Sequence, residues 1–332
     1  MDTRLAYADY LAHMGLNTYL YCPKADPWLR RRWQDEWPAA QWDQLLQVGK
    51  RYRAAGINWG VGLSPFELYR DYGRVQRAQF RNKLERIAQL QAPLLAILFD
   101  DMPGDLDALA SRQAEIVADT RHWLPGVRLL VCPTYYSFDP VLEKLFGPMP
   151  ADYWPQLGRD LPQSAQVFWT GNRVCPATVA VRDIEAIRRQ LGRPVVLWDN
   201  YPVNDGAVRS NFLYLEELSQ RDPQLRGLLD GHLCNAMNQG LLSLPALAGL
   251  AALYGGGSCS DQWFGEVLGA QTWAQLRSDR DLFQREGLGA LQDSDRRRQL
   301  AQVYARLPGA AAREVAGWLA GEYTFDPACL TD

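Results

Sequence analysis

Histidine is nearly missing from this chain: three residues in 332, His13, His122 and His232, with no pair four apart. That argues against a zinc centre built from imidazoles on one helix face. The six cysteines (22, 132, 175, 234, 259 and 329) form no C-x-x-C pair and no finger-like spacing, so free thiols in a reduced, cytoplasmic protein are expected. No apolar run reaches the length of a membrane span, and Met1-Asp2-Thr3-Arg4 opens onto no apolar signal core. An excess of either charge is also lacking. Lys and Arg number 35 against 38 Asp and Glu, a net charge of −3, which gives no electrostatic case for a nucleic acid or acidic membrane partner. The runs Arg30-Arg31-Arg32 and Arg296-Arg297-Arg298 read as solvated helix faces.

What is present is apolar and aromatic. A 47% hydrophobic chain of this length can bury a full core. Apolar runs near 17–23, 57–63, 94–100, 128–134, 166–170, 194–200 and 226–234 read as strands, with amphipathic segments between them. Trp42, Leu45, Leu46, Gly49 and Tyr52 share one helical face, as do Phe80, Leu84, Ile87 and Leu90, and Val181, Ile184, Ile187 and Leu191. Alternation of this kind predicts an α/β fold with a parallel sheet. Seven strands after a leading helix (2–14, stopped by Gly15) fall one short of a (β/α)8 TIM-type barrel. The expectation is that the missing strand is the first, through a gene start assigned too far downstream. Gly255-Gly256-Gly257 breaks the chain after an apolar helix at 243–254. Residues 1–255 are therefore expected to form the barrel, and 256–332 a small C-terminal helical extension, with 272–321 all helix.

The most informative run is Leu94-Leu95-Ala96-Ile97-Leu98-Phe99, which ends in Asp100 and Asp101. It reads as a buried parallel strand, and such strands present their chemistry at the carboxyl end. Two adjacent carboxylates cannot both ionise cheaply, so one is expected to hold a proton while the other keeps its charge. That is the division of labour of a glycosidase; helix capping by either Asp is the plainer reading. The other exits are rich in Asn, Asp, Trp and Tyr. They include Tyr19-Leu20-Tyr21-Cys22-Pro23-Lys24, Cys132-Pro133-Thr134-Tyr135-Tyr136, Trp198-Asp199-Asn200 and Cys234-Asn235. Polar amides and carboxylates pair with sugar hydroxyls, and flat aromatics stack on sugar faces, so this rim describes a neutral polyhydroxyl pocket. Only one of Tyr135 and Tyr136 can face inward. Taken singly, Lys24 reads as a solvated strand-end lysine, Trp198 as core, and Asn200, Asp205 and Asn235 as turn formers.

Five ordered motifs carry a resemblance. Asn17-Thr18-Tyr19-Leu20-Tyr21-Cys22-Pro23-Lys24-Ala25-Asp26-Pro27, Ile97-Leu98-Phe99-Asp100-Asp101, Phe168-Trp169-Thr170-Gly171, the run from Trp198 to Asp205, and Cys234-Asn235-Ala236-Met237-Asn238-Gln239 resemble glycoside hydrolase family 84, the O-GlcNAcase and bacterial β-N-acetylglucosaminidase barrels. The family's first strand, with its Gly-Phe-Tyr-Gly-like exit, has no counterpart here. The resemblance implies a retaining exo-β-N-acetylglucosaminidase that needs no cofactor and no metal, acting on GlcNAc-containing glycans or glycoproteins. It implies Asp101 as general acid, then base. Asp100 would hold the N–H of the 2-acetamido group, whose carbonyl oxygen attacks the anomeric carbon to give an oxazoline. Tyr136 would contact this arrangement, Lys24, Asp205 and Asn235 would grip sugar hydroxyls, and Trp198 and Asn200 would form the pocket wall and acetamido side. Two further readings are a non-catalytic GlcNAc-binding barrel and a metal-dependent deacetylase with Asp100 or Asp101 as ligand.

Overall fold

A computed structural model describes residues 1–291 and 295–323. Its frame is a single sheet of seven parallel strands: β1 (Thr18–Tyr21), β2 (Asn58–Leu63), β3 (Leu94–Leu98), β4 (Arg128–Cys132), β5 (Ala165–Trp169), β6 (Val195–Asp199) and β7 (Gly231–Cys234). Each strand pairs only with its neighbours in sequence, in the order β1-β2-β3-β4-β5-β6-β7. The expected strands are therefore all present, although β7 starts five residues late because 223–227 forms a 3-10 turn capped by Asp222. The sheet is open between β1 and β7, so the fold is a partial (β/α) barrel. β3 and β4 are buried on both faces apart from Arg128, as parallel strands covered by helices must be, whereas β7 is half-exposed throughout.

The helices of the βα repeat are α1 (Asp2–Met14), α2 (Ala39–Ala54), α3 (Arg74–Ala88), α4 (Leu109–Trp123), α5 (Val141–Phe146), α6 (Tyr153–Asp160), α7 (Val181–Leu191) and α8 (Leu244–Leu253). Their apolar stripes set their orientation. In α7, Ile184, Ile187 and Leu191 are buried, and each fully buried aliphatic side chain stabilises by about 1.5–3 kcal/mol. The α2 stripe differs from the expected one in a single place. Leu46 is exposed and Val48 is buried, because the helix turns its Trp42, Leu45, Val48, Gly49 and Tyr52 edge inward. Helix α1 ends at Gly15, whose φ of 76° is the left-handed conformation that glycine supplies at a helix end. It packs against both α2 and α8, and the Gly257 N–H donates to the Met14 carbonyl at 3.0 Å.

Beyond the triple glycine lie α9 (Asp261–Leu268), α10 (Ala270–Asp281), α11 (Asp295–Arg306) and α12 (Ala310–Ala320). Here the expectation of helix throughout 272–321 is corrected, residues 292–294 lying outside the described ones. Helix starts at 261, where the Ser260 hydroxyl accepts from the Trp263 N–H. It is interrupted at Gly269 and Gly309, both with positive φ, and by π and 3-10 turns over 282–291. The helices share buried contacts with the barrel. The Trp318 indole donates to the Ser210 carbonyl at 3.0 Å, and Gln284 Oε1 accepts from the Leu215 and Glu216 N–H groups at 2.7 and 2.9 Å. No helix among the described residues is long and apolar enough to cross a membrane.

Candidate active site

At the carboxyl ends of the strands one cavity gathers seven of the eight residues the sequence singled out. Lys24, Asp100, Tyr136, Trp198, Asn200, Asp205 and Asn235 line it, with Cys132, Thr170, Val174, Cys175, Val203 and Arg209. The walls leave about 510 Å³ of space, part of it open to solvent. Asp101 is not on the wall. Its buried carboxylate lies behind Lys24 and Tyr136, bonded to the Lys24 ammonium and, at 3.2 Å, to the Tyr136 hydroxyl.

The first wall comes from the β1 exit. Asp26 is buried and accepts from the Tyr21 hydroxyl at 3.0 Å, the Trp28 N–H at 3.0 Å and the Trp37 indole at 3.2 Å. These bonds fold the Lys24-Ala25-Asp26-Pro27 turn so that Lys24 reaches across to Asp101. The second wall follows β3. The backbone leaves the strand through Asp101 at φ 53°, a left-handed conformation that Asp tolerates better than most residues. Arg30 fixes this turn by donating to the Asp101 carbonyl at 3.0 Å and to Ser64 Oγ at 2.8 Å. The expectation that Arg30 sits on a solvated face with Arg31 and Arg32 is thereby corrected. Arg31 and Arg32 are exposed, but Arg30 is 4% exposed, turned in beneath the aspartates.

Asp100 is the electrostatic centre. Its Oδ1 is buried and has no hydrogen-bond partner within the protein. Burial and the neighbouring Asp101 charge push its carboxyl above the ordinary aspartate range, and Lys24 and Arg30 oppose that rise. Burial and the Asp100 charge push the Cys22 thiol up to about 12, and Cys132 rises for the same reasons, so both thiols stay protonated. Of the two tyrosines after β4, Tyr136 faces in. Tyr135 points away, its hydroxyl on the Gly147 carbonyl at 2.8 Å.

The far wall comes from β5, β6 and β7. Trp198 stands edge-on against Phe168, with ring centroids 4.8 Å apart. Its indole donates to Asn200 Oδ1 at 3.1 Å, which also accepts from Asn235 Nδ2 at 3.1 Å, while Asn200 Nδ2 donates to the Val174 carbonyl at 2.8 Å. Asn200 therefore spends three of its four bonding positions on the protein. The sequence reading missed the support behind this wall. Asp199, between Trp198 and Asn200, points to the other side of the strand and is wholly buried against Arg221 and His232. Strand alternation was the available signal, since the neighbours of two inward residues must face out. His232 takes a structural hydrogen-bonding role between Asp199 and the Tyr254 hydroxyl. Among the described residues no group of three His, Cys, Asp or Glu side chains converges as metal ligands would. Five cysteines are free thiols, and Cys329 lies outside the described residues.

Known proteins resemble this chain. The Protein O-GlcNAcase of Rattus norvegicus and that of Mus musculus are each 26% identical over 245 residues, which is 70% of this chain and 26% of theirs. The chain thus spans about a quarter of the length of these curated relatives. Among solved structures, a mutant of the Thermobaculum terrenum O-GlcNAc hydrolase superposes with a TM-score of 0.76 at 24% identity, covering 97% of this chain and 78% of that one. At that identity the likeness speaks for the fold. The family model described as beta-N-acetylglucosaminidase matches residues 1–258, so the chain belongs to the β-N-acetylglucosaminidase family, the glycoside hydrolase family 84 to which its five motifs point.

Proposed function

We propose that the protein is a retaining exo-β-N-acetylglucosaminidase that cleaves terminal or protein-O-linked GlcNAc with help from the substrate's own acetamido group. The observation that carries this reading is the buried, unpartnered Oδ1 of Asp100 in the cavity wall. Leaving a buried acceptor unsatisfied costs about 1–3 kcal/mol, and an amide N–H arriving from the substrate would remove that cost. Held there, the acetamido oxygen is placed for attack on the anomeric carbon. Intramolecular positioning of this kind can lower a barrier by about 7–11 kcal/mol. The N–H donor also favours the ionised form of Asp100, whose charge then stabilises the cationic oxazoline as it forms. Because the nucleophile belongs to the substrate, no protein nucleophile is needed.

Asp101 is assigned as the acid that protonates the leaving oxygen and then as the base for water. Its carboxylate is covered by Lys24 and Tyr136. Sugar hydroxyls that draw the Lys24 ammonium away would uncover it. Lys24, Asp205 and Asn235 are assigned to sugar hydroxyls, Tyr136 to the reacting centre, and Trp198 and Asn200 to the acetamido side. A reduced, cytoplasmic setting accords with the free thiols.

The test is Asp101→Asn against aryl β-GlcNAc substrates of graded leaving-group acidity. Losing a general acid costs about 10²–10⁴-fold, with the largest loss on the poorest leaving groups. Equal loss across the series, or none, would overturn the acid assignment. Binding without turnover is the second reading, favoured by the open sheet edge between β1 and β7. Calorimetry with a GlcNAc-derived thiazoline beside a turnover assay separates the two.

A further inference from the structure

Behind the far wall lies an ion-pair cluster, Asp199, Arg221 and His232, that is not among the residues lining the cavity. Arg221 is forked onto the Asp199 carboxylate, Nε to Oδ2 at 2.6 Å and Nη2 to Oδ1 at 2.8 Å. Both side chains are almost wholly buried, at 3% and 0% exposure. The same guanidinium donates to the carbonyls of Ala177 at 2.8 Å and Pro176 at 3.2 Å. His232 Nε2 lies 3.1 Å from Asp199 Oδ2, and its Nδ1 lies 3.0 Å from the Tyr254 hydroxyl. Burial by itself would raise the Asp199 carboxyl, yet the Arg221 and His232 contacts outweigh it and hold Asp199 below the ordinary range. The cluster is therefore charged and fully engaged.

Its connections explain why a chain would bury such charges. Removing one partner of such a pair is strongly destabilising, although a well-packed apolar pair of the same volume stabilises as well or better. Stability alone therefore gives no reason to bury charge at this place. The three segments the cluster joins are those that build the far wall. The β5–α7 loop supplies Val174 and Cys175 immediately before Pro176 and Ala177. The β6 exit supplies Trp198 and Asn200 on either side of Asp199. The β7 exit supplies Asn235, whose N–H donates to the Asp199 carbonyl at 2.8 Å. Among the described residues β7 pairs with β6 alone, and the His232 contact with Asp199 adds a side-chain tie between these two strands.

We propose that Arg221 is a positioning residue for the sugar pocket: by clasping Asp199 and the Pro176 and Ala177 carbonyls it sets the spacing between the Val174–Cys175 loop and the Trp198–Asn200–Asn235 wall, and so the size of N-acyl group the pocket admits. The proposal rests on the glycosidase reading above. Lysine keeps the charge at this position but cannot fork onto a carboxylate and reach two carbonyls at once. The neutral pair Asp199→Asn with Arg221→Gln keeps the volume without burying charge.

Kinetics of wild type, R221K and the D199N/R221Q double variant on aryl β-GlcNAc and its N-propanoyl homologue test this, with thiazoline binding by calorimetry alongside. A wall that contacts the sugar equally before and during reaction shows itself in KM. For R221K we expect KM to rise about tenfold with kcat within about threefold, and the preference for acetyl over propanoyl to fall about fivefold. Folded variants that keep the wild-type KM and acyl preference and lose only melting temperature would overturn the proposal. So would failure of both variants to melt cooperatively, which places Arg221 in folding alone. Absence of thiazoline binding and turnover in the wild type would instead sink the glycosidase reading, and this proposal with it.

Discussion

Glu314 offers a measurement that depends on structure alone. It sits on α12, half-buried, with its two carboxylate oxygens accepting from the Leu241 and Leu242 N–H groups at 3.2 Å each. Those amides open the turn that leads into α8, directly after the Asn235–Gly240 segment of the site. Burial raises the Glu314 carboxyl from 4.5 to about 7, against the opposing pull of the two N–H donors. Tyr7, whose hydroxyl is bonded to the Gly240 carbonyl, and Tyr323 are the nearest titratable groups, and both stay neutral across this range. The sign follows from proton uptake. Between pH 4.5 and about 7 the folded protein holds a proton on Glu314 that the unfolded chain has released, so stability present below pH 4.5 is lost as pH rises to about 7. At about 1.4 kcal/mol per pH unit the loss is about 3 kcal/mol, or about 4 °C in melting temperature for a chain of this length. Thermal melts of wild type and Glu314→Gln from pH 4 to 8 isolate the group, since other titrations are common to both. The wild type should fall relative to the variant through this window and run parallel to it above. Two curves that stay parallel throughout would refute the reasoning.

Two further outcomes concern the aspartate pair. Arg30→Met removes the donor on the Asp101 carbonyl and should lower kcat/KM by about 10- to 100-fold through displacement of the two carboxylates, while the melting temperature drops by only a few degrees. Asp100 must be ionised to stabilise the cationic oxazoline, and burial and Asp101 raise its carboxyl. Activity should therefore fall on the acid side of a value above the ordinary aspartate range. Arg30 is one of the groups that lower it, so the Arg30→Met profile of kcat/KM should shift to higher pH; an unmoved limb would dissociate Asp100 from it.

The strands were legible because each is an apolar run between charged or proline-rich boundaries, and parallel strands buried on both faces leave little else in the sequence. Seven of the eight chosen residues meet in one cavity because strand exits of a βα repeat all lie on one rim. Asp101 stands one layer back. The reason is a backbone turn, φ 53°, that no residue-type pattern discloses. Arg30 was hidden by its neighbours Arg31 and Arg32: three consecutive arginines look solvated, while one of them satisfies a buried carbonyl. The Asp199–Arg221–His232 cluster is non-local, joining residues 22 and 33 apart, and no spacing rule links a strand-end Asp to an Arg in a later turn. The breaks in the C-terminal helices were partly visible, since Gly269 and Gly309 stand at them. The π and 3-10 turns at 282–291 carry no such mark.

The claim on which the account turns is that the substrate's own amide makes the attack, held by Asp100. Aryl β-glycosides differing only in the 2-substituent test it: N-acetyl, its mono-, di- and trifluoroacetyl analogues, and the 2-hydroxyl compound. Fluorine drains the carbonyl oxygen of nucleophilicity while leaving its size nearly constant. The account predicts a rate that falls at each added fluorine and no cleavage of the 2-hydroxyl glycoside. Rates independent of fluorine, with the 2-hydroxyl compound cleaved as fast, would contradict it.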